Sequence, residues 1–204
     1  MNGGYAKGSQ SNVHYADGSA QSNHSGSGYN ARTGASYSST GSYTKSATGT
    51  VSGSGQTTVS GARGTYSSST STANGTTTHT TSISGAKGGS YQGQSTLTKS
   101  GDGSAQVSHS SSAYNGNTGA SITKTADYSK SASGAVTGSA QTTASSANLR
   151  YSGATETANG TTTHQTSVTN AATGNSYQGT TSVGPGQLSH TGTCTNASGS
   201  VIPC

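Results

Sequence analysis

The sequence predicts an all-β protein of repeated strand-and-turn units, arranged either as a β-solenoid or as a long antiparallel β-meander. Three observations support this prediction. The composition has too few apolar residues for a large core. Turn signals recur about every 11 to 16 residues. A much longer stretch of sequence is also repeated. One part of it, TANGTTTH, occurs at positions 72–79 and again at 157–164.

The composition excludes an ordinary globular core. Only 25% of the 204 residues are hydrophobic and 6% are charged, against about 45–50% (with glycine) and about 25% in typical domains. Disordered chains are usually rich in Pro, Glu and Lys, whereas this chain has two Pro and one Glu. Abundant Thr, Ser and Tyr with little charge favour β-structure held by backbone hydrogen bonds within and between subunits.

The long repeat sets the predicted organisation. Residues 18–87 align without gaps on residues 103–172, with roughly three positions in five identical. We therefore predict an N-terminal segment (1–15), a first repeat (16–100), a second repeat (101–183) and a shortened third repeat (184–204). Terminal repeats are usually atypical and act as caps.

Within each repeat, short turn signals mark strand-turn units of about 14 residues. Asn-Gly and similar pairs supply the positive φ that tight β-turns require. Runs such as 121–131 and 161–169 alternate as strands do and show no helical spacing. The turn glycines predicted on this basis are Gly34, Gly49, Gly75, Gly119, Gly134 and Gly160.

Tyrosines that recur between the repeats are expected to pack as a thin apolar seam, because they are the largest side chains available. The alternative is that they form exposed rows that bind sugar rings. The residues concerned are Tyr29, Tyr43, Tyr66, Tyr91, Tyr114, Tyr128, Tyr151 and Tyr177.

The cysteines and the charged residues indicate the cellular location and the classes of partner to expect. Cys194 and Cys204 are the only cysteines, and we predict that they form a disulfide in an oxidising environment outside the cell or at its surface. The nine Lys and Arg residues form no basic run, so nucleic acid is not an expected partner. No stretch is apolar enough for a membrane helix, and the first ten residues lack the apolar segment of a signal peptide.

No pattern indicates catalysis or a cofactor, and no metal site is assigned. Asp17 and Asp102 occupy matching turns, where Asp is expected for local hydrogen bonding. No His pair has metal-motif spacing, although stacked repeats could align His residues into ladders. Thr runs such as 76–82 raise the alternative of an ice-binding face, but they occur once per long repeat rather than once per turn.

The units YNARTGAS (29–36), YNGNTGAS (114–121) and TANGTTTH resemble the turn-and-strand units of bacterial YD-type repeat proteins, without their regular Tyr-Asp pair. The chain as a whole is similar to Gly/Ser/Thr/Asn-rich β-repeat proteins of bacterial surfaces and matrices, a group that includes curli-type fibre subunits. The resemblance implies a secreted, non-enzymatic protein that assembles with itself into an extracellular filament or biofilm matrix. The alternative function is a carbohydrate-binding adhesin or stalk module, with extracellular polysaccharide as its partner.

Overall fold

The computed structural model describes residues 3–204, which form β-strands joined by turns and contain no helix. This confirms the prediction of an all-β fold. The chain divides into two compact units, Met1–Lys99 and Ser100–Cys204.

The first unit contains seven strands, and each strand pairs antiparallel with the next one in sequence. Hairpins rather than coils join the strands, so the meander is the correct alternative and the solenoid is wrong. The strands are β1 (Tyr5–His14), β2 (Ala20–Asn30), β3 (Ala35–Lys45), β4 (Val51–Gly61), β5 (Gly64–Ala73), β6 (Thr76–Gly85) and β7 (Ser90–Lys99).

The second unit repeats this pattern with seven long strands and one short one, again antiparallel. The strands are β8 (Ala105–Tyr114), β9 (Ser121–Lys130), β10 (Val136–Ser145), β11 (Leu149–Ala158), β12 (Thr161–Asn170), β13 (Ser176–Gly184), β14 (Gln187–Thr195) and β15 (Val201–Ile202). A ten-residue strand spans about 33 Å at the usual rise per residue.

The structural units differ in extent from the predicted organisation. Residues 1–15, predicted as the N-terminal segment, contain β1, which pairs along its whole length with β2 in the first unit. Residues 184–204, predicted as the shortened third repeat, contain β14, which pairs with β13 within the second unit. Each unit therefore contains one long repeat together with additional strands, β1 in the first unit and β14 and β15 in the second.

Two of the two-residue hairpin turns follow the Asn-Gly signal. Asn74 and Gly75 have φ values of 49° and 75°, and Asn159 and Gly160 have 53° and 75°. Two consecutive positive φ values are the requirement of a type I′ turn, whose twist matches that of the flanking strands. The other four predicted turn glycines, Gly34, Gly49, Gly119 and Gly134, also have positive φ.

Neither unit contains a hydrophobic core. Among residues 3–204 no hydrophobic side chain is buried, and Ser39 is the one buried polar residue, at 8% exposure. The chain exposes 12834 Å², whereas a compact protein of 19.8 kDa exposes about 8,600 Å² by the usual scaling. A single layer of strands leaves both of its faces accessible, which accounts for the difference.

We predict that Gly75→Ala lowers the free energy of unfolding by about 1–2 kcal/mol, because a β-carbon is unfavourable at positive φ. A β-carbon at Gly75 would also lie 2.5 Å from the carbonyl oxygen of Lys99. Urea unfolding checks this, with Gly101→Ala as the control, since Gly101 has open space around its α-carbon. Equal effects of Gly75→Ala and Gly101→Ala on the free energy of unfolding would contradict the type I′ turn at Gly75.

Candidate functional site

The two faces of each unit differ in chemistry. Side chains alternate between the faces along a strand, and directly paired residues on neighbouring strands share a face. In the first unit one face carries most of the large side chains, and we call it the tyrosine face. The opposite face carries mainly Ser and Thr, and we call it the hydroxyl face.

One row of paired residues crosses the tyrosine face of the first unit without a polar interruption from β3 to β7. It consists of Tyr37, Val59, Tyr66, Ile83 and Tyr91, each paired with the next. The tyrosines lie on every second strand, about 9.6 Å apart at normal strand spacing. An aliphatic residue separates each tyrosine from the next.

The second unit has the equivalent row on its own tyrosine face. It is built from apolar residues in successive pairs. Its members are Ala113, Ile122, Ala144, Tyr151, Val168, Tyr177, Cys194 and Ile202. The long sequence repeat therefore places like residues at the same height in both units.

Several tyrosine rings lean over glycines. The Tyr43 ring covers its cross-strand partner Gly53, and Tyr128 covers Gly138 in the second unit. A β-carbon at Gly93 would lie 2.5 Å from the hydroxyl oxygen of Tyr91. The rings thus occupy space that a side chain at the glycine would need, which gives each tyrosine contact area in the absence of a core.

Hydroxyl groups pair across strands on the hydroxyl face. The Oγ atoms of Ser36 and Ser60 lie 2.6 Å apart, and those of Ser69 and Thr80 also lie 2.6 Å apart. The second unit contains comparable pairs, such as Thr123 with Thr143 at 2.6 Å between their Oγ1 atoms. Such cross-strand pairs each contribute roughly 0.2–1 kcal/mol, so this face stabilises the sheet without excluding water.

Histidines at equivalent repeat positions make the same contact. Nδ1 of His79 lies 2.8 Å from Oγ1 of Thr70, and Nδ1 of His164 lies 2.8 Å from Oγ1 of Thr155. His190 is bonded similarly to Thr181 at 2.9 Å. Within residues 3–204 no group of three or more His, Cys, Asp or Glu side chains could hold a metal ion. These contacts give His79, His164 and His190 a role in strand pairing.

The acidic residues of the matching turns act locally. Asp17 Oδ1 accepts hydrogen bonds from the backbone N–H of Ser19 at 2.9 Å and from its hydroxyl at 2.6 Å. Asp102 makes the same two bonds with Ser104. The side-chain bond is the largest cause that lowers the pKa of each carboxyl, followed by the backbone bond. These carboxylates fix their turns through local hydrogen bonds.

At the end of the chain, Cys194 and Cys204 form a disulfide with their Cα atoms 5.3 Å apart. The disulfide joins β14 to the segment of chain that follows β15. Only two residues of β14, Cys194 and Thr195, pair with β15. The bridge and β15 thus cover one end of β14 and leave the rest of its outer edge unpaired.

The predicted packing tyrosines do not all lie together. Tyr43, Tyr66, Tyr91, Tyr128, Tyr151 and Tyr177 are half-buried on the tyrosine faces of their units. Tyr29 and Tyr114 lie on the hydroxyl face instead and are 41% and 47% exposed. Tyr29 contacts Tyr5 there, with ring centroids 6.4 Å apart. Sequence reasoning also missed Tyr37, which has Ile122 as its counterpart in the second repeat.

Comparison with known proteins gives no relatives: no family model, curated protein or solved structure matches the chain. The described residues also contain no helix long and apolar enough to cross a membrane. Any statement about function therefore rests on the faces of the two units and on the unpaired edges of β1 and β14.

We predict that Gly53→Ala destabilises the chain by about 1–3 kcal/mol, the usual cost of overpacking. The new β-carbon would lie too close to the backbone carbonyl oxygen of Ser42, 2.6 Å from Cα of Tyr43 and 2.7 Å from its Cδ1, and Gly53 has a φ of 154°. The control is Ser54→Ala, an exposed neighbour on the hydroxyl face, expected to stay within about 0.5 kcal/mol of the parent. If urea unfolding gives equal stabilities for both variants, the close approach of Gly53 to β3 is contradicted.

Proposed function

We propose that the protein is a secreted, non-enzymatic structural protein whose chains join edge to edge into an extracellular filament or matrix. The observation that carries this proposal is the unpaired edge strand β1. Among residues 3–204 its one neighbouring strand is β2, and all ten residues of β1 are exposed. An edge strand presents unpaired N–H and C=O groups to which another chain can add.

Edge strands of soluble proteins are usually protected against such pairing by charge, proline, bulges or short length. β1 is ten residues long, contains no proline and carries one charged side chain, Lys7. Its pairing with β2 is continuous from Tyr5 to His14. β1 is therefore a long, regular edge with little protection.

The opposite terminal strand also offers a surface for pairing. β15 covers only Cys194 and Thr195, so residues 187–193 of β14 have β13 as their one neighbour. These seven residues are exposed and carry no Lys, Arg, Asp or Glu. Pairing between β1 of one chain and β14 of another would extend the backbone ladder from subunit to subunit.

We expect Ser11→Lys combined with Val13→Lys to abolish filaments, because charges on an edge strand oppose the approach of another strand. The matched control is Ser42→Lys with Thr44→Lys. These residues lie at the same heights and on the same face, but on β3, which is paired on both sides. Electron microscopy of the secreted material should show filaments for the parent and the control only. Filaments from the β1 variant, or none from the parent, would refute edge assembly.

A second candidate function is carbohydrate binding, favoured by the regular spacing of Tyr37, Tyr66 and Tyr91 in one row. Aromatic rings combine a large apolar surface with, in tyrosine, a polar hydroxyl group. Both are suited to a sugar ring.

For this second candidate, we expect the double substitution Tyr66→Ala and Tyr91→Ala to reduce binding to insoluble polysaccharide at least about tenfold. A tenfold reduction corresponds to about 1.4 kcal/mol of binding free energy, which is a modest loss for the removal of two aromatic rings. The control is Tyr5→Ala with Tyr29→Ala on the hydroxyl face. Co-sedimentation of the chain with the polysaccharide measures both. Equal binding by the two double variants would exclude the tyrosine row as the sugar site.

A further inference from the structure

We propose that two copies of the chain pair through the tyrosine faces of their first units, so that the assembled material is two sheets thick. This inference rests on the same self-assembling role but concerns a different surface from the strand edges. The occupant of the tyrosine face is a second copy of the same face, related by a two-fold axis.

The tyrosine face of the first unit has an exposed apolar surface. Val59 and Ile83, which lie between the tyrosines of the row, keep 39% and 41% of their surfaces exposed, and Tyr37 keeps 44%. They form part of one contiguous row rather than scattered positions. Contiguous apolar patches on a protein surface mark interaction sites, whereas single exposed apolar residues do not.

The charge distribution favours this face for stacking. The four rows between the strand ends contain no Lys, Arg, Asp or Glu on the tyrosine face of the first unit. Lys45 and Lys99 lie at strand ends, where they would remain at the rim of an interface. The second unit has Lys124 inside the corresponding area, at the position equivalent to Ser39. The first unit is therefore the better stacking surface.

The available area is sufficient for a stable pair. Seven strands of about ten residues give a face of about 1,100 Å² at usual strand spacing and rise. A standard protein interface buries about 800 Å² from each partner. Facing sheets pack about 10 Å apart when their side chains interdigitate.

The pattern of side-chain size along the row is self-complementary. Tyr37, Tyr66 and Tyr91 alternate with the smaller Val59 and Ile83 on successive strands. When two copies are displaced by one strand, two of the three tyrosines in each copy face Val59 and Ile83 of its partner. A two-fold contact uses the same patch on both copies, so one alternating row supplies both halves of the fit.

The test uses the full chain with the β1 substitutions Ser11→Lys and Val13→Lys, so that edge pairing does not obscure face pairing. Sedimentation equilibrium should give twice the mass of one chain. Adding Ile83→Lys should weaken the pair at least about tenfold, because a charge is buried at the interface in both copies. Adding Ser82→Lys instead should leave it unchanged, since this exposed neighbour lies on the hydroxyl face. Circular dichroism confirms that each variant is folded.

The outcomes separate this inference from edge assembly. A monomeric β1 variant, or equal effects of Ile83→Lys and Ser82→Lys, would overturn face pairing even if the parent forms filaments. Dimers that depend on Ile83 would support face pairing even if the parent forms no filaments. A monomer that binds insoluble polysaccharide through Ile83 would overturn the inference and assign the face to a carbohydrate partner.

Discussion

The backbone hydrogen bond between neighbouring strands is the interaction on which the rest of this structure depends. Each bond contributes about 0.5–1.5 kcal/mol net, similar to the roughly 1–2 kcal/mol needed to order the backbone of one residue. Without a core, this near balance means that a strand gains most when both of its edges are paired. The unpaired edges of β1 and of residues 187–193 of β14 are therefore the less stabilised parts of the ladder and gain most from another chain.

Side chains supplement the ladder differently on the two faces. On the tyrosine face, rings lean over glycines such as Gly53 and Gly138, so that one large residue covers its own position and part of its neighbour's. On the hydroxyl face, short side chains bond across strands, as Ser36 does with Ser60. Each arrangement needs the correct residue on the adjacent strand. This requirement gives a physical reason for the faithful repetition of the sequence.

Much of the fold could be predicted from sequence because its signals are local. Asn74 and Gly75 specify a turn by themselves, and the following strand begins at Thr76. The choice between solenoid and meander could not be made from the sequence, because both folds use the same strands and turns and differ only in which strand edges pair. The disulfide could be predicted from the sequence because the chain has only two cysteines.

The two faces could not be assigned from sequence because they depend on register. A shift of one residue in pairing moves a side chain to the opposite face. Tyr29 and Tyr66 both recur between the repeats, yet only Tyr66 lies on the tyrosine face. The apolar row became apparent only when pairing joined Tyr37, Val59 and Tyr66 across three strands. The spacing of these residues along the chain shows no such relation.

Hydrogen exchange of the backbone amides, measured on the dilute chain in solution, tests most directly whether the ladder replaces a core. The account predicts slow exchange at ladder-bonded amides throughout β3 to β6, for residues of the tyrosine face and the hydroxyl face alike. Slow exchange confined to the neighbourhood of the tyrosine rings would show that side-chain packing holds the fold. Fast exchange throughout these four strands would show that the ladder does not persist in an isolated chain.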